Sequence, residues 1–268
     1  MTAPNAYTHG HHESVLRTHQ WRTAQNSAAY LLPHLGPEVT LLDIGAGPGT
    51  ITMDFAGRVA HVTATEIGPR ELALSRQTAQ DRGVSNVSFA VEDVHALSFA
   101  DGSFDVVHAH QVLQHVADPV RALREMARVT RPGGIVAARD GDYGGFLWYP
   151  DDPDLAEWLA LYRAAARASG GEPDAGRRLL SWARAAGFTD VEATVTAWCY
   201  ATPQDRAWWG GSWAERVTRS AFADRALEHG LATRADLERL SRAWLRFASS
   251  DDGWFMVPSG EILCRVPA

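Results

Sequence analysis

Short apolar runs alternate with helical periodicities through the first half of the chain. Residues 39–44, 61–65, 87–91, 104–109 and 135–138 each read as a strand, and most of these runs end at glycines or polar residues. The clearest intervening helix follows Asp118 as N-cap, with Pro119 at its first position. Its apolar face is Val120, Leu123, Met126 and Ala127, and Arg131-Pro132-Gly133-Gly134 stops it. Upstream, a helical period runs from Ser14 to Leu32 through Val15, Leu16, Trp21, Ala24, Ala28 and Leu31, ended by Pro33 and Gly36-Pro37. Strands alternating with helices predict a parallel sheet covered on both faces.

The pattern changes after Gly145. Residues 153–169 and 176–186 read as helices and 191–200 as a strand. Thr202 caps a further helix, and Thr233 with Asp236 opens another whose face is Leu237, Leu240, Trp244 and Phe247. A closing strand covers 254–266, with an interruption expected at Pro258-Ser259-Gly260. The connection 203–250 between the last two strands far exceeds the ~2–5 residues of a hairpin loop. Nine of the ten tryptophans lie from Trp148 onward, which fits either core packing or an aromatic-lined pocket.

Composition narrows the function classes. The chain has 268 residues and a net charge of −7, and its 25 basic residues are all arginine, a usage read as codon bias. An acidic chain with no basic run is a poor partner for nucleic acid or an anionic membrane. Cys199 and Cys264 are too few for a disulfide scaffold, and no metal site is expected. The first residues carry no apolar signal core, and no run approaches the ~20 apolar residues of a membrane span, so a cytoplasmic location is expected.

Chemistry concentrates at strand ends. Asp43-Ile44-Gly45-Ala46-Gly47-Pro48-Gly49 takes a strand into a glycine-rich turn and a helix, where the backbone can approach a ligand and helix N–H groups are free. Glu66 closes the second strand, where a carboxylate can grip both hydroxyls of a ribose. Asp93 follows the third strand, where a carboxylate can accept from an adenine amine while adjacent apolar side chains sandwich the ring. Asp43 ahead of the glycines is unfavourable beside a diphosphate but favourable beside an ammonium and a sulfonium.

With these residues, the chain resembles the class I S-adenosylmethionine (SAM)-dependent methyltransferases, in particular the ubiquinone/menaquinone biosynthesis methyltransferase-like group. The resemblance spans about 39–138 and includes Leu97-Ser98-Phe99, Asp101-Gly102-Ser103-Phe104-Asp105-Val106-Val107, Val112-Leu113-Gln114-His115-Val116 and Arg131-Pro132-Gly133-Gly134. It implies a Rossmann-like α/β fold with a mostly parallel seven-stranded sheet, the last strand antiparallel. It also implies SAM as cofactor, with Asp43, Gly45, Gly47 and Gly49 at the methionine part, Glu66 at the ribose and Asp93 at the adenine, and with Ile67 and Val94 also among the cofactor contacts. The organisation expected is a single methyltransferase domain, with 1–37 as a helical N-terminal lid, 38–145 as the SAM-binding core, and 146–268 as the substrate side with its helical insertion 203–250.

Outside the shared blocks, Tyr7, His11, His12, His19 and Arg22 lie in a histidine-rich stretch that reads either as a lid over SAM or as a solvated tail. As a lid, Arg22 would pair with the SAM carboxylate and Tyr7 would lie over the sulfonium. His110 and Gln111 follow the fourth strand and should border the methionine part, while His115, one turn on, reaches substrate or serves in packing. Asp142 and Tyr143 follow the fifth strand as substrate-side candidates, or simply make a turn. His11, His12, His115 and Asp142 are the candidate bases, and Tyr143, Trp148, Trp208 and Trp209 the candidate substrate contacts. The acceptor expected is a small, aromatic or apolar molecule such as an indole or another natural-product intermediate, taken by a monomer or homodimer. The competing readings are a non-catalytic SAM-binding module and a nicotinamide-dependent oxidoreductase; Asp43 and the block around Asp93 disfavour the latter.

Overall fold

The computed structural model describes residue 19 and residues 21–267. In chain order its elements begin with α1 (Ala24–Ser27), β1 (Thr40–Ile44), α2 (Thr50–Ala56), β2 (His61–Glu66), α3 (Pro69–Arg82) and β3 (Val87–Val91). They continue with β4 (Phe104–His110), α4 (Pro119–Val129), β5 (Thr130–Gly141), β6 (Leu147–Tyr149), α5 (Pro153–Ala168), α6 (Leu179–Ala186) and β7 (Asp190–Tyr200). α7 (Pro203–Arg219), α8 (Ala221–Glu228), α9 (Arg234–Ser249) and β8 (Trp254–Arg265) complete the chain. The capping signals act as read: Asp118 Oδ1 accepts from Arg121 N at 2.9 Å, and Thr202 with Asp205 and Thr233 with Asp236 close capping boxes.

The chain forms two compact units. One comprises His19–Asp140, Ala175–Val195 and the residues from Gly260 onward. Its strands follow the order β3-β2-β1-β4-β5-β8, with β7 paired to β8. The ladders among β1 to β5 are parallel, with Asp43 opposite His108 and His110 opposite Arg139. Strand alternation divides the apolar side chains between two faces. Leu42, Val107, Val136 and Ala138 pack with Leu123 and Met126 of α4, while Leu41, Val106, Ile135 and Ala137 pack with Phe55 of α2 and Ala28. This is the mostly parallel α/β sheet that the resemblance implies.

The other unit contains Gly141–Asp174 and Thr196–Ser259. The three-residue β6, an eighth strand beyond the seven expected, pairs antiparallel with the start of β8. The helices α5, α7, α8 and α9 enclose Trp158, Trp213, Trp244, Tyr162 and Phe255, all essentially buried. Edge-to-face contacts at 4.5 and 4.6 Å between Trp158 and its neighbours Trp213 and Trp244 make these rings a packed core.

Three local expectations are corrected. The helix expected over 14–32 does not continue through the described residues, because Thr23 adopts an extended conformation and caps the new four-residue α1; residues 14–18 and 20 lie outside the described residues. β5 starts directly after α4 at Thr130, with a register irregularity accommodating Pro132-Gly133-Gly134. β8 runs unbroken through Pro258-Ser259-Gly260. Gly260 marks a close approach instead of a break: a Cβ there would lie 2.1 Å from the Gly176 carbonyl oxygen. Among the described residues no helix is long and apolar enough to cross a membrane.

Candidate active site

The carboxyl ends of β1, β2, β4 and β5 carry candidate polar residues of the first unit. β1 runs into a turn in which Gly45 and Gly47 hold positive φ angles of 66° and 56°. A Cβ at Gly45 would strike Val112 Cγ2 at 2.5 Å, whereas at Gly47 nothing lies within 4 Å. Gly45 is therefore required by packing, while Gly47 faces open space with its backbone accessible. Side chains of α3 fasten the turn from behind: Ser75 Oγ donates to Gly47 O at 3.0 Å and Thr78 Oγ1 to Pro48 O at 2.6 Å. Gly49 caps α2 in the left-handed conformation.

Glu66 ends β2 against this turn. Its Oε1 accepts from Gly47 N at 2.7 Å and its Oε2 from Ile67 N at 3.2 Å. Burial raises the Glu66 carboxyl above its ordinary range, although the two amides pull the other way. Ile67 is 68% exposed, while Val94 is buried. Past β3, Asp93 Oδ1 accepts from His95 N at 2.9 Å and lies 2.8 Å from His95 Nδ1. Partial burial works to raise the Asp93 carboxyl, but the His95 contacts outweigh it and hold the group below its ordinary range.

Asp43 is buried, and both its oxygens are engaged inside the protein: Oδ2 accepts from Thr52 Oγ1 at 2.5 Å and Oδ1 meets His108 Nδ1 at 2.8 Å. Burial pushes the His110 imidazole, at the end of β4, well below its ordinary range, reinforced by the positive charges of Arg22 and Arg139. Gln111 has a φ of 54°, alone among the described non-glycine residues in the left-handed region. Its N–H donates to Arg139 O at 2.7 Å and its Oε1 accepts from Arg22 Nη2 at 2.7 Å. His19 joins this end through its carbonyl, which accepts from Arg22 N at 3.1 Å. Half-buried His115 ends a 3-10 turn, Leu113–His115, with its Nε2 3.0 Å from Gln114 Nε2.

The substrate-side candidates belong to the other unit. Asp142 is buried with its N–H on Pro258 O at 3.0 Å. Tyr143 is buried between Phe146 and Tyr162, at ring distances of 4.5 and 4.1 Å. Trp209 is buried and stacked on Tyr200 at 4.2 Å, whereas Trp148 and Trp208 are half-buried against the aromatic core. Tyr7, His11 and His12 lie outside the described residues.

The family described as methyltransferase domain matches residues 42–138. An uncharacterized methyltransferase of Schizosaccharomyces pombe is 30% identical over 269 residues, covering 97% of this chain and 96% of that protein. The chain belongs to the class I SAM-dependent methyltransferases. A ubiquinone/menaquinone biosynthesis C-methyltransferase of Bdellovibrio bacteriovorus is 38% identical over 120 residues, 44% of this methyltransferase and 49% of the relative. The solved YcgJ protein of Bacillus subtilis shares the fold at a TM-score of 0.60 and 21% identity, over 91% of this methyltransferase and 99% of that chain.

SAM is the cofactor of this methyltransferase, and the open backbone at Gly47 beside the Glu66 carboxylate suits such a ligand. Motif reading passed over two buried residues of the sheet, His108 and Asp140. The available signal was a polar residue inside an apolar strand: His108 stands between Val106-Val107 and Ala109, and Arg139-Asp140 ends Val136-Ala137-Ala138.

Proposed function

We propose that this methyltransferase alkylates a small, aromatic or apolar acceptor. The half-buried indoles of Trp148 and Trp208 carry the reading. Trp148 stacks on Phe255 at 5.9 Å and 12°, and Trp208 lies 5.8 Å from Tyr200, so each offers part of a flat ring from a fixed base. Flat apolar molecules gain most from such surfaces. The net charge of −7 supports a small molecule over a polyanion.

In this reading Glu66 binds the ribose hydroxyls, Asp93 accepts from the adenine amine, and exposed Ile67 covers one face of the ring. Arg22, oriented by Gln111, pairs with the cofactor carboxylate. SAM supplies a methyl carbon already activated by a sulfonium, so the protein's main task is alignment. A hydroxyl, amine or thiol acceptor also needs a base, a role that half-buried His115 would fill beyond β4.

The test is to incubate the enzyme with SAM carrying a labelled methyl group, supplying phenols, indoles, aliphatic acids, RNA and protein extract separately. Label in a phenol or indole supports the reading. Label confined to aliphatic acids or macromolecules sinks it.

A further inference from the structure

Two acceptor atoms in the first unit have no donor. Asp140 is fully buried near the carboxyl end of β5, with Oδ1 accepting from Gln114 N at 3.1 Å. Its Oδ2 is buried and accepts no hydrogen bond. Gln114 is 4% exposed, its amide nitrogen lies 3.0 Å from His115 Nε2, and its Oε1 is likewise buried without a donor. An ionised carboxylate can only accept hydrogen bonds, and so can an amide oxygen. Leaving such atoms unmet is costly, so folded proteins rarely keep them without a purpose.

Their position in the sheet supplies one. Strand register sets Ile44 beside Ala109 and His110 beside Arg139, so Gly45, His110 and Arg139 fall in one row at the carboxyl ends. Asp140 lies one residue beyond that row and two strands from the glycine turn, a separation of ~10 Å at the usual strand spacing. Parallel sheets bind their ligands just outside these ends.

We propose that Asp140 and Gln114 form a subsite that receives a hydrogen-bond donor of a ligand, an N–H or O–H group. The donor belongs to the methyl acceptor or to the cofactor's ammonium. The two-strand offset from the glycine turn favours the acceptor, an assignment that rests on the small-molecule reading above. Burial raises the Asp140 carboxyl to about 7, against the opposing pull of the Gln114 and Leu113 amides and of Arg139. A donor arriving at Oδ2 offsets that desolvation with a hydrogen bond.

The test uses wild type, Asp140→Asn and Gln114→Met, the last keeping the backbone N–H that holds Asp140. Calorimetry measures binding of S-adenosylhomocysteine and of 5′-methylthioadenosine, which lacks the ammonium. On protein saturated with S-adenosylhomocysteine, NMR then compares phenol with anisole, indole with N-methylindole, and cyclohexanol with its methyl ether. The expected result is unchanged cofactor-analogue affinity, with wild type preferring the donor member of a pair at least fivefold and both variants less than twofold. Fivefold weaker S-adenosylhomocysteine binding with unchanged 5′-methylthioadenosine binding also upholds the subsite and assigns the donor to the cofactor. Discrimination seen only in the cyclohexanol pair upholds the subsite while removing the aromatic acceptor. If S-adenosylhomocysteine binding is unchanged and no pair is discriminated, or none binds, the proposal is overturned. Discrimination that survives both substitutions overturns it as well.

Discussion

Glu66 Oε1 accepts a hydrogen bond from the Gly47 amide at 2.7 Å, so the acid that closes β2 is tied to the turn that closes β1. One carboxylate thereby fixes the backbone of the proposed cofactor cradle, and in the proposed reading it also grips the ribose. Glu66→Ala removes both functions. SAM affinity should fall by ~1.5–3 kcal/mol, the range for hydrogen bonds to a charged group. Calorimetry with SAM is the check, and an unchanged dissociation constant would remove Glu66 from the site.

His108 and Asp43 face each other across the β1–β4 ladder at 2.8 Å, with side chains 0% and 5% exposed. The imidazole packs edge-on against Phe55 at 4.9 Å. His108→Phe keeps the ring contact but leaves Asp43 Oδ1 without its partner. The loss should be at least ~1.5–3 kcal/mol in urea unfolding, with an unchanged m value. A variant as stable as wild type would show that this contact contributes nothing.

Trp209 and Trp208 are neighbours in sequence with different surroundings. Trp209 is 5% exposed and stacked on Tyr200, so Trp209→Ala should cost ~3–5 kcal/mol as a core truncation. Half-buried Trp208 should tolerate Ala with a clearly smaller loss and, if it meets the acceptor, raise the acceptor KM without altering SAM affinity. Thermal melts and steady-state kinetics on the two variants decide this. Equal destabilisation would make Trp208 a core residue like its neighbour.

The tryptophans also mark how far the sequence could be read. The strand ends bearing Gly47, Glu66 and Asp93 were legible because each needs only a local pattern: an apolar run, then a glycine or an acid. The destination of Trp158, Trp213 and Trp244 was not, because helical periodicity shows which face is apolar but not what that face meets. Gly260 misled for a related reason. Glycine in a strand signals a break or a close approach, and only the Gly176 carbonyl, 84 positions away in the numbering, tells which. Asp140 was hidden among the turn-forming residues that follow it, although its own place is inside β5.

Asp140 gives stability a defined pH dependence. Burial raises its folded-state carboxyl to about 7, above the ~3.9 of an unfolded chain. The folded protein then binds more protons than the unfolded chain between these values. The associated stability is present in full below pH ~4 and is lost as pH rises through 7. The slope is at most ~1.4 kcal/mol per pH unit. Glu66 is shifted in the same direction and His110 in the opposite one, so wild type must be compared with Asp140→Asn. Urea unfolding from pH 4.5 to 7.5 should show wild type losing stability relative to the variant. Parallel curves would mean that Asp140 ionises as freely in the fold as in water.

Gln111 holds a left-handed backbone at φ 54° while its side chain receives Arg22 Nη2 at 2.7 Å. A non-glycine residue in that region costs on the order of 1–2 kcal/mol, which persists where the surroundings require it. Here the requirement is visible on both sides: the amide is bound to Arg139 O at 2.7 Å and the side chain faces Arg22, 89 positions earlier. Gln111→Gly removes the backbone strain together with the side-chain anchor. If the strain serves to present Arg22 to the cofactor carboxylate, the variant should be as stable as wild type or slightly more so, yet bind SAM several-fold more weakly. Arg22→Ala should weaken SAM to a similar degree, and the double variant should lose little beyond either single one, since both act through one contact. Binding of 5′-methylthioadenosine, which lacks the carboxylate, should remain unchanged in all three. Additive losses, or equal losses with 5′-methylthioadenosine, would separate Gln111 from Arg22 and leave the strained turn as a feature of β4 alone.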